Sequence, residues 1–192
     1  VIALIKDETM RLLSVCRLAA TALLLSMLSF APALADGPVL LTVTGAVDKP
    51  NRGGYDENTD KFFGFNEVEF DKAAAFSFAD LKKLGEVTVR ADFPKDGDEH
   101  EFTGPLLADV LLAAGASGKK VTIQALDGYA VEASLEAFSK MGAIVAYKKN
   151  GKMFGIGDFG PTQIVFPRAE RADLKDMNDD LWVWSIFHIR VE

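Results

Sequence analysis

The sequence is organised around residues 102–115, which run Phe102-Thr103-Gly104-Pro105-Leu106-Leu107-Ala108-Asp109-Val110-Leu111-Leu112-Ala113-Ala114-Gly115. Pro105 suits the first turn of a helix, because the N–H that it lacks has no helical partner there. Leu107, Val110, Leu111 and Ala114 follow the i, i+3, i+4, i+7 spacing of one buried face. Gly115 supplies the left-handed residue at which helices commonly end. The stretch therefore predicts a helix from Pro105 that packs on a core and ends at Gly115.

Short apolar or alternating runs on both sides of this helix are typical of strands. Ser77 has the character of a helix cap, and Asn150-Gly151 is a strong hairpin signal. Strands and short helices are interspersed without a strict βαβ rhythm, which favours an α+β class. We expect helices after Ser77 and over 135–141, loops over 48–60 and 92–101, and strands at 39–43, 68–70, 87–91, 121–125, 144–147, 163–166 and 181–191, the last long and central.

Residues 10–35 have the three-part pattern of a secretory signal. Arg11 and Arg17 supply positive charge before an almost unbroken apolar run over 18–30, and Ala33-Leu34-Ala35 offers small residues for cleavage. The two arginines are not adjacent, so the signal is of the Sec type and not of the twin-arginine type. An N-terminal anchor helix is the alternative, although the apolar run is short for a membrane span.

The signal predicts upstream and cleaved residues over 1–35, and one mature domain over 36–192 in the periplasm or outside the cell. The whole chain has a net charge of −7 and residues 1–35 contribute +1, so the mature domain carries −8. Such a domain has no electrostatic reason to bind nucleic acid or anionic lipid, and it holds no second run that would insert into a membrane. The one cysteine, Cys16, lies in the signal, which excludes disulfides and thiolate chemistry from the mature domain.

Several segments, in this order, carry a family resemblance: 41–45, 87–90, 102–111 with 114–115, 125–129, 143–147, 150–152, 160–161, 164–167 and the strand around Trp184. Together they resemble the molybdopterin-binding domain of the sulfite-oxidase-type oxidoreductases, over nearly all of the mature chain. Each motif consists of turn glycines and core residues, and their order and spacing are what is specific. The resemblance implies an α+β fold with mixed β-sheets and short helices, the sulfite-oxidase-type molybdopterin-binding-domain fold.

The resemblance also implies where a molybdenum cofactor would be held, and this chain differs there. The family's enzymes ligate molybdenum through a cysteine at the place of Ala91, which has no donor atom. Their His and Arg toward the pterin phosphate correspond to Asp158 and Gln163. A carboxylate repels a phosphate, and an amide lacks the charged fork of arginine. Together with the missing twin-arginine signal, this predicts the fold without the cofactor, and molybdopterin binding is the alternative.

No catalytic residue and no metal ligand is predicted, but eight residues are candidates for a pocket: Arg90, Ala91, Asp127, Tyr129, Asp158, Gln163, Arg168 and Arg171. Arg90 would lie at the mouth of an ancestral cofactor pocket. Tyr129 would present its hydroxyl to a ligand, unless Asp127-Gly128 is simply a β-turn. Asp158 lies in a glycine-rich segment that is either an anion cradle or a structural loop.

Other features of the sequence also have two interpretations. The basic group of Arg168, Arg171 and Lys175 either holds an acidic ligand or is neutralised by the acidic residues between its members. Trp182 and Trp184 are expected on one face of a strand, for a ligand or for the core. His100 belongs to a metal loop or, preferably, to a solvated acidic turn, and His188 is expected to be a buried, hydrogen-bonded core residue.

Three functions follow from the sequence. The first is an accessory module that binds an unknown small ligand or a periplasmic protein partner on a scaffold that has lost molybdenum cofactor. The second is a molybdopterin-dependent oxidoreductase. The third is a protein-interaction or sensor-associated domain.

Overall fold

Residues 37–92 and 97–192 are described by the structure, a computed structural model. They fall within Leu34–Glu192, one of the two units into which the chain divides. The strands are β1 (Val39–Gly45), β2 (Ala73–Ser77), β3 (Val87–Asp92), β4 (Glu99–Gly104), β5 (Lys120–Ala125), β6 (Ala130–Ser134), β7 (Ile144–Ala146), β8 (Lys148–Lys149), β9 (Lys152–Met153), β10 (Gln163–Val165) and β11 (Ile186–Val191). The helices are α1 (Lys61–Phe65), α2 (Phe78–Lys83), α3 (Leu107–Ala114) and α4 (Leu135–Met141), and Ala172–Leu174 form a 3-10 turn. The predicted signal over 1–35, with Cys16, lies outside the described residues.

A five-stranded mixed sheet forms the centre, with the strand order β2-β1-β11-β5-β6. Strands β1 and β11 are parallel, with Thr42 opposite His188, and the other neighbours are antiparallel. Strand β11 is buried at every position except Arg190. The central position predicted for the last strand is therefore confirmed.

Two further sheets pack beside the first: an antiparallel sheet of order β3-β4-β8-β9 and the pair β10-β7. The backbones of β4 and β7 come very close at Gly104, where an added Cβ would lie 2.0 Å from the carbonyl oxygen of Val145. The N–H of Val145 donates to the carbonyl of Pro105 at 2.9 Å. Because Pro105 belongs to this strand crossing, α3 begins two residues later than predicted, at Leu107. It ends at Gly115 with φ 67°, as predicted.

Most of the predicted elements are confirmed. Ser77 caps α2 in a reciprocal capping box with Asp80, and α4 spans 135–141. Asn150 and Gly151 make the turn between β8 and β9, both with positive φ. The fold class is α+β with mixed sheets and short helices. Among residues 37–92 and 97–192, no helix is long and apolar enough to cross a bilayer.

Three predictions about strands were wrong. The expected loop over 92–101 contains the end of β3 and the start of β4, because the charged residues of β4 lie on its exposed face. No strand forms over 68–70. The last strand begins at Ile186 and not at residue 181, since Ser185 has φ 54°, which interrupts an extended chain. Strand β2 was not predicted, because its run of alanines is a weak strand signal.

Candidate functional site

Ala91, where the resemblance places the family's molybdenum ligand, lies inside β3 and not after it. It is 0% exposed and belongs to the hydrophobic core, with His100 opposite on β4. A methyl group offers no lone pair to a metal, and its burial leaves no open coordination position. The donor that the family's chemistry needs is therefore missing here, and a molybdenum cofactor does not fit at this place.

Arg90 precedes Ala91 and its side chain points to solvent, where two carboxylates neutralise it. Its Nη1 lies 2.8 Å from Oε1 of Glu99, and its Nε lies 3.7 Å from Oε1 of Glu170. The Arg90 backbone N–H also donates to Glu170 at 2.8 Å. Arg90 therefore holds the Glu170 loop against β3, and its charge is already matched.

Arg168 and Arg171 line a depression of about 430 Å³ near the end of β3. Arg168 lies 3.4 Å from the carboxylate of Asp92 and donates twice to the backbone carbonyl of Lys175. Arg171 is paired with Asp173 at 2.5 Å and donates to the carbonyl of Lys140. The hydrogen bond to Asp173 raises the pKa of Arg171, and the same contact lowers the pKa of Asp173. The structure supports the self-neutralised interpretation of this basic group.

Gln163 and Asp158 lie in different surroundings. Gln163 is 2% exposed on β10, opposite Ala146, and its Oε1 has no hydrogen-bond partner among the described residues. Asp158 is exposed on the surface. None of the depressions described in this section is lined by both Asp158 and Gln163, or by Ala91. These depressions therefore do not bring together the three positions that the resemblance assigns to a cofactor.

The rings of both histidines are held by side-chain hydrogen bonds. His188 is buried, with Nε2 2.8 Å from Oγ1 of Thr44 and Nδ1 3.2 Å from Oε1 of Gln124, as the sequence predicted. His100 lies on β4 and not in an acidic turn, and its Nδ1 is 3.2 Å from the Asn150 amide. In the described part of the chain, no three His, Cys, Asp or Glu side chains converge as a metal site would require.

Two of the eight pocket candidates, Asp127 and Tyr129, come together on another face, around Trp184. The hairpin loop between β5 and β6 carries Asp127 and Tyr129. With Asp180, Trp182 and Trp184 they line a depression of about 330 Å³, which we call the aromatic–acidic cleft. Tyr129 is 50% exposed and Trp184 is 47% exposed, whereas Trp182 is 2% exposed. Half-exposed aromatic rings at a concave surface are available to a ligand.

Hydrogen bonds hold the walls of this cleft in place. The Tyr129 N–H donates to Oδ1 of Asp127 at 3.0 Å, which is the local turn expected for Asp-Gly. The Tyr129 hydroxyl donates to the backbone carbonyl of Asp180 at 3.1 Å. On the opposite wall, Trp184 packs edge-on against Phe159 with ring centroids 5.7 Å apart. Both the turn and the ligand-binding interpretation of Asp127 and Tyr129 are therefore compatible with the geometry.

A second depression, of about 360 Å³, shares Asp127 and Trp184 with the aromatic–acidic cleft and adds Asp158, Ile156 and Leu126. Ile156 is 84% exposed. This depression brings the glycine-rich loop of Asp158 next to the β5–β6 hairpin. The charged group of that loop is the carboxylate of Asp158, which would repel an anion. The loop is therefore unsuited to the anion-binding role considered for it.

An apolar groove of about 350 Å³ continues from the second depression, since both include Leu126 and Ile156. Its walls come from the start of β1, from α1, from β11 and from the loops that carry Arg52 and Pro161. The lining residues besides Leu126 and Ile156 are Pro38, Val39, Leu40, Thr42, Arg52, Phe62, Phe63, Pro161 and Phe187. Arg52 is the one cation among these described residues, and it is paired with Asp60 at 2.6 Å. Its guanidinium also lies over the rings of Phe63 and Phe70, 5.6 and 5.0 Å from their centroids.

The carboxylates around the aromatic–acidic cleft and the second depression are not paired with cations, unlike those around Arg90. None of the ion pairs among the described residues involves Asp127, Asp158 or Asp180. Carboxylates beside the faces of Trp and Tyr favour an organic cation, which gains from both the ring quadrupole and the negative charge. Sequence reasoning named Asp127, Tyr129 and Asp158. It missed Asp180, which comes from a distant loop with no motif, and it gave no role to Ile156, although Ile156 lies in the same glycine-rich segment as Asp158.

Comparison with known proteins identifies a solved structure with a similar fold. No family model and no curated protein matches the chain. The chain is similar to a solved structure titled as the crystal structure of the sulfane dehydrogenase SoxCD from Paracoccus pantotrophus, with a TM-score of 0.55 and 17% sequence identity. The match covers 80% of this chain and 38% of that chain, so this chain spans well under half of that protein's length. The likeness is one of fold, and it confirms the predicted sulfite-oxidase-type molybdopterin-binding-domain fold.

Proposed function

We propose that this chain is an exported accessory module that works without molybdenum cofactor and binds its ligand in the aromatic–acidic cleft. The observation that carries the proposal is the contrast between two faces. The place of the metal ligand is a buried methyl group in the core, and the cations near it are matched by carboxylates. The aromatic–acidic cleft instead presents half-exposed rings and carboxylates without ion pairs.

The ligand class that suits the aromatic–acidic cleft is an organic cation, such as an ammonium or a guanidinium group. Trp184 and Tyr129 supply the π-faces, and Asp127 supplies negative charge on the rim. A desolvated cation over an aromatic ring gains about 2 kcal/mol, and an exposed one gains about 0.5–1 kcal/mol. A single such contact gives weak binding, so the cleft needs its rings and its carboxylates together.

The cofactor part of the proposal is tested on protein purified from its native compartment. We expect elemental analysis without stoichiometric molybdenum, and a native mass equal to that of a polypeptide beginning at Asp36. Molybdenum together with a pterin-sized mass would overturn this part and favour the oxidoreductase alternative. A protein that keeps residues 10–35 and fractionates with membranes would contradict export with cleavage.

The binding part is tested by titrating benzyltrimethylammonium while the tryptophan fluorescence is recorded. We expect Trp184→Ala to weaken binding at least about tenfold, which corresponds to a loss of about 1.4 kcal/mol. Phe65→Ala is the matched control, because Phe65 is 84% exposed and lines neither the cleft nor the groove. Binding that Trp184→Ala and Asp127→Asn leave unchanged would show that the cation is held elsewhere.

A further inference from the structure

The aromatic–acidic cleft is one end of a longer surface. Asp127 and Trp184 join it to the second depression, and Leu126 and Ile156 join that depression to the apolar groove. The three volumes are about 330, 360 and 350 Å³. A small organic cation fills one such space, and a surface of three joined spaces accommodates a much longer ligand.

The groove end of this surface is unusually apolar for a solvent-facing region. Val39 is 46% exposed, Phe62 is 43% exposed and Ile156 is 84% exposed. Phe62 is anchored edge-on to Phe187, with ring centroids 4.9 Å apart, so its free face is held toward the groove. Large apolar side chains that are fixed at a concave surface usually mark an interaction site.

The charge along this surface changes from one end to the other. At the groove end, the charge of Arg52 is neutralised by Asp60. At the cleft end, Asp127, Asp158 and Asp180 form no ion pair within the described residues. A ligand that complements both ends is apolar along one part and cationic at the other.

We infer that this continuous surface docks a segment of a partner protein in which apolar side chains stand beside a lysine or arginine. The cation enters the aromatic–acidic cleft, and the apolar side chains fill the groove between Val39, Phe62 and Ile156. The inference rests on the proposed function in one respect, because it assigns the cation in the cleft to a protein side chain. Peptide recognition by a groove with a few apolar anchors follows the same physical scheme.

Short synthetic peptides test this inference by fluorescence anisotropy with the exported protein. The first peptide carries apolar residues beside a lysine. In the second the lysine is replaced by glutamate, and in the third the apolar residues are replaced by serine. We expect the first peptide to bind and each of the others to bind at least about tenfold more weakly, a difference of about 1.4 kcal/mol.

Substitutions then locate the peptide on the surface. Phe62→Ser is expected to weaken the first peptide about tenfold and to leave benzyltrimethylammonium binding unchanged, because Phe62 lines the groove and not the cleft. Ile156→Ser is a second groove variant, chosen because Ile156 contributes little to the core. Asp127→Asn is expected to weaken both ligands, and it retains an oxygen for the Tyr129 N–H. Phe65→Ser, on the same helix as Phe62, is the control for both ligands.

The possible results separate this inference from the proposed function. Binding of benzyltrimethylammonium without binding of the peptide overturns the inference and leaves the proposed function standing. Peptide binding that survives both Phe62→Ser and Ile156→Ser also overturns the inference. Self-association that Phe62→Ser abolishes overturns it too, since the occupant would then be a second copy of the chain. Peptide binding that depends on Phe62 and Asp127, without measurable binding of the small cation, supports the inference and overturns the small-ligand form of the proposed function.

Discussion

The face around Arg90 and the aromatic–acidic cleft differ in how their charges are matched. Arg90, Arg168 and Arg171 each lie within 4 Å of a carboxylate of their own chain, whereas Asp127 and Asp180 in the cleft have no cationic partner among the described residues. The cations of the first face are matched within the chain. The carboxylates of the second face are the ones that the proposed function pairs with an external cation. The difference teaches that one fold can carry a face whose charges are internally matched and another whose carboxylates are left without a cation, so a site has to be argued from its own chemistry.

The largest expected effect concerns the two tryptophans of the cleft, one buried and one half-exposed. Trp182→Ala should lower the free energy of unfolding by about 3–5 kcal/mol, because it opens a cavity beside Phe166. Trp184→Ala should cost about 1 kcal/mol or less, because that ring is largely at the surface. Urea denaturation followed by circular dichroism measures both. Equal costs would mean that Trp184 is structural, and the contrast between the two faces would weaken.

A second prediction concerns the strand beneath the groove. Burial, with a smaller contribution from Arg190, lowers the pKa of His188 from 6.5 to about 4. The unfolded chain therefore takes up this proton at a higher pH than the folded chain does. Above about pH 6.5 the ring is neutral in both states and does not reduce the free energy of unfolding. As the pH falls from 6.5 toward 4, the free energy of unfolding decreases by about 3 kcal/mol.

Unfolding free energies between pH 7 and pH 4 check this prediction. His188→Gln keeps a polar group for Thr44 and should remove this part of the pH dependence, whereas His100→Gln should not. A wild-type pH slope that persists unchanged in His188→Gln would assign the effect to other groups. Protonation of His188 would then contribute less to the pH dependence of stability than its burial implies.

A third prediction tests how tightly the core is packed around Ala91, where the resemblance places the family's metal ligand. Ala91→Leu should destabilise the protein by about 1–3 kcal/mol, because the added methylenes have no space between β3 and the core. Ala130→Leu makes the same chemical change at an exposed site of β6 and should stay within about 0.5 kcal/mol. Thermal or urea unfolding of the pair gives the comparison. If Ala91→Leu is tolerated as well as Ala130→Leu, an unfilled space exists beside Ala91 after all.

The smallest expected effect is that of breaking the ion pairs around Arg90. The side chains of Arg90 and Glu99 are each about half exposed, and such pairs contribute about 0–1 kcal/mol. Arg90→Gln should therefore change stability by no more than that, and it should leave binding at the cleft unaffected. Fluorescence titration and urea unfolding of one preparation measure both quantities. Loss of cation binding in Arg90→Gln would remove the distinction between the two faces.

The sequence predicted the fold better than the site, for physical reasons. Helix α3, its glycine end and the Asn150-Gly151 turn depend on local backbone preferences, which a short stretch contains. The start of strand β4 was missed because Glu99 and Glu101 lie on its solvent-facing side, where charge is compatible with a strand. The aromatic–acidic cleft joins a hairpin loop to a distant segment at Asp180, and no local pattern encodes that contact.

The eight pocket candidates separate in the same way. Resemblance selected Ala91 and Gln163 by position, and the structure buries both. Tyr129 was instead chosen because a turn would present its side chain, and its ring is half exposed beside Trp184. Trp184 was expected on a regular strand, but the positive φ of Ser185 separates it from β11. Because such a backbone conformation depends on tertiary contacts, it was not predictable from an apolar run.

The parallel pairing of β1 with β11 has a consequence for how this protein is made. Residues 39–45 need residues 186–191 as neighbours, so synthesis must pass almost the whole domain before the central sheet can close. Pairing across so many residues slows folding, because the long loop between the strands must be ordered first. A nascent chain of this topology therefore cannot close its central sheet until its last strand has left the ribosome.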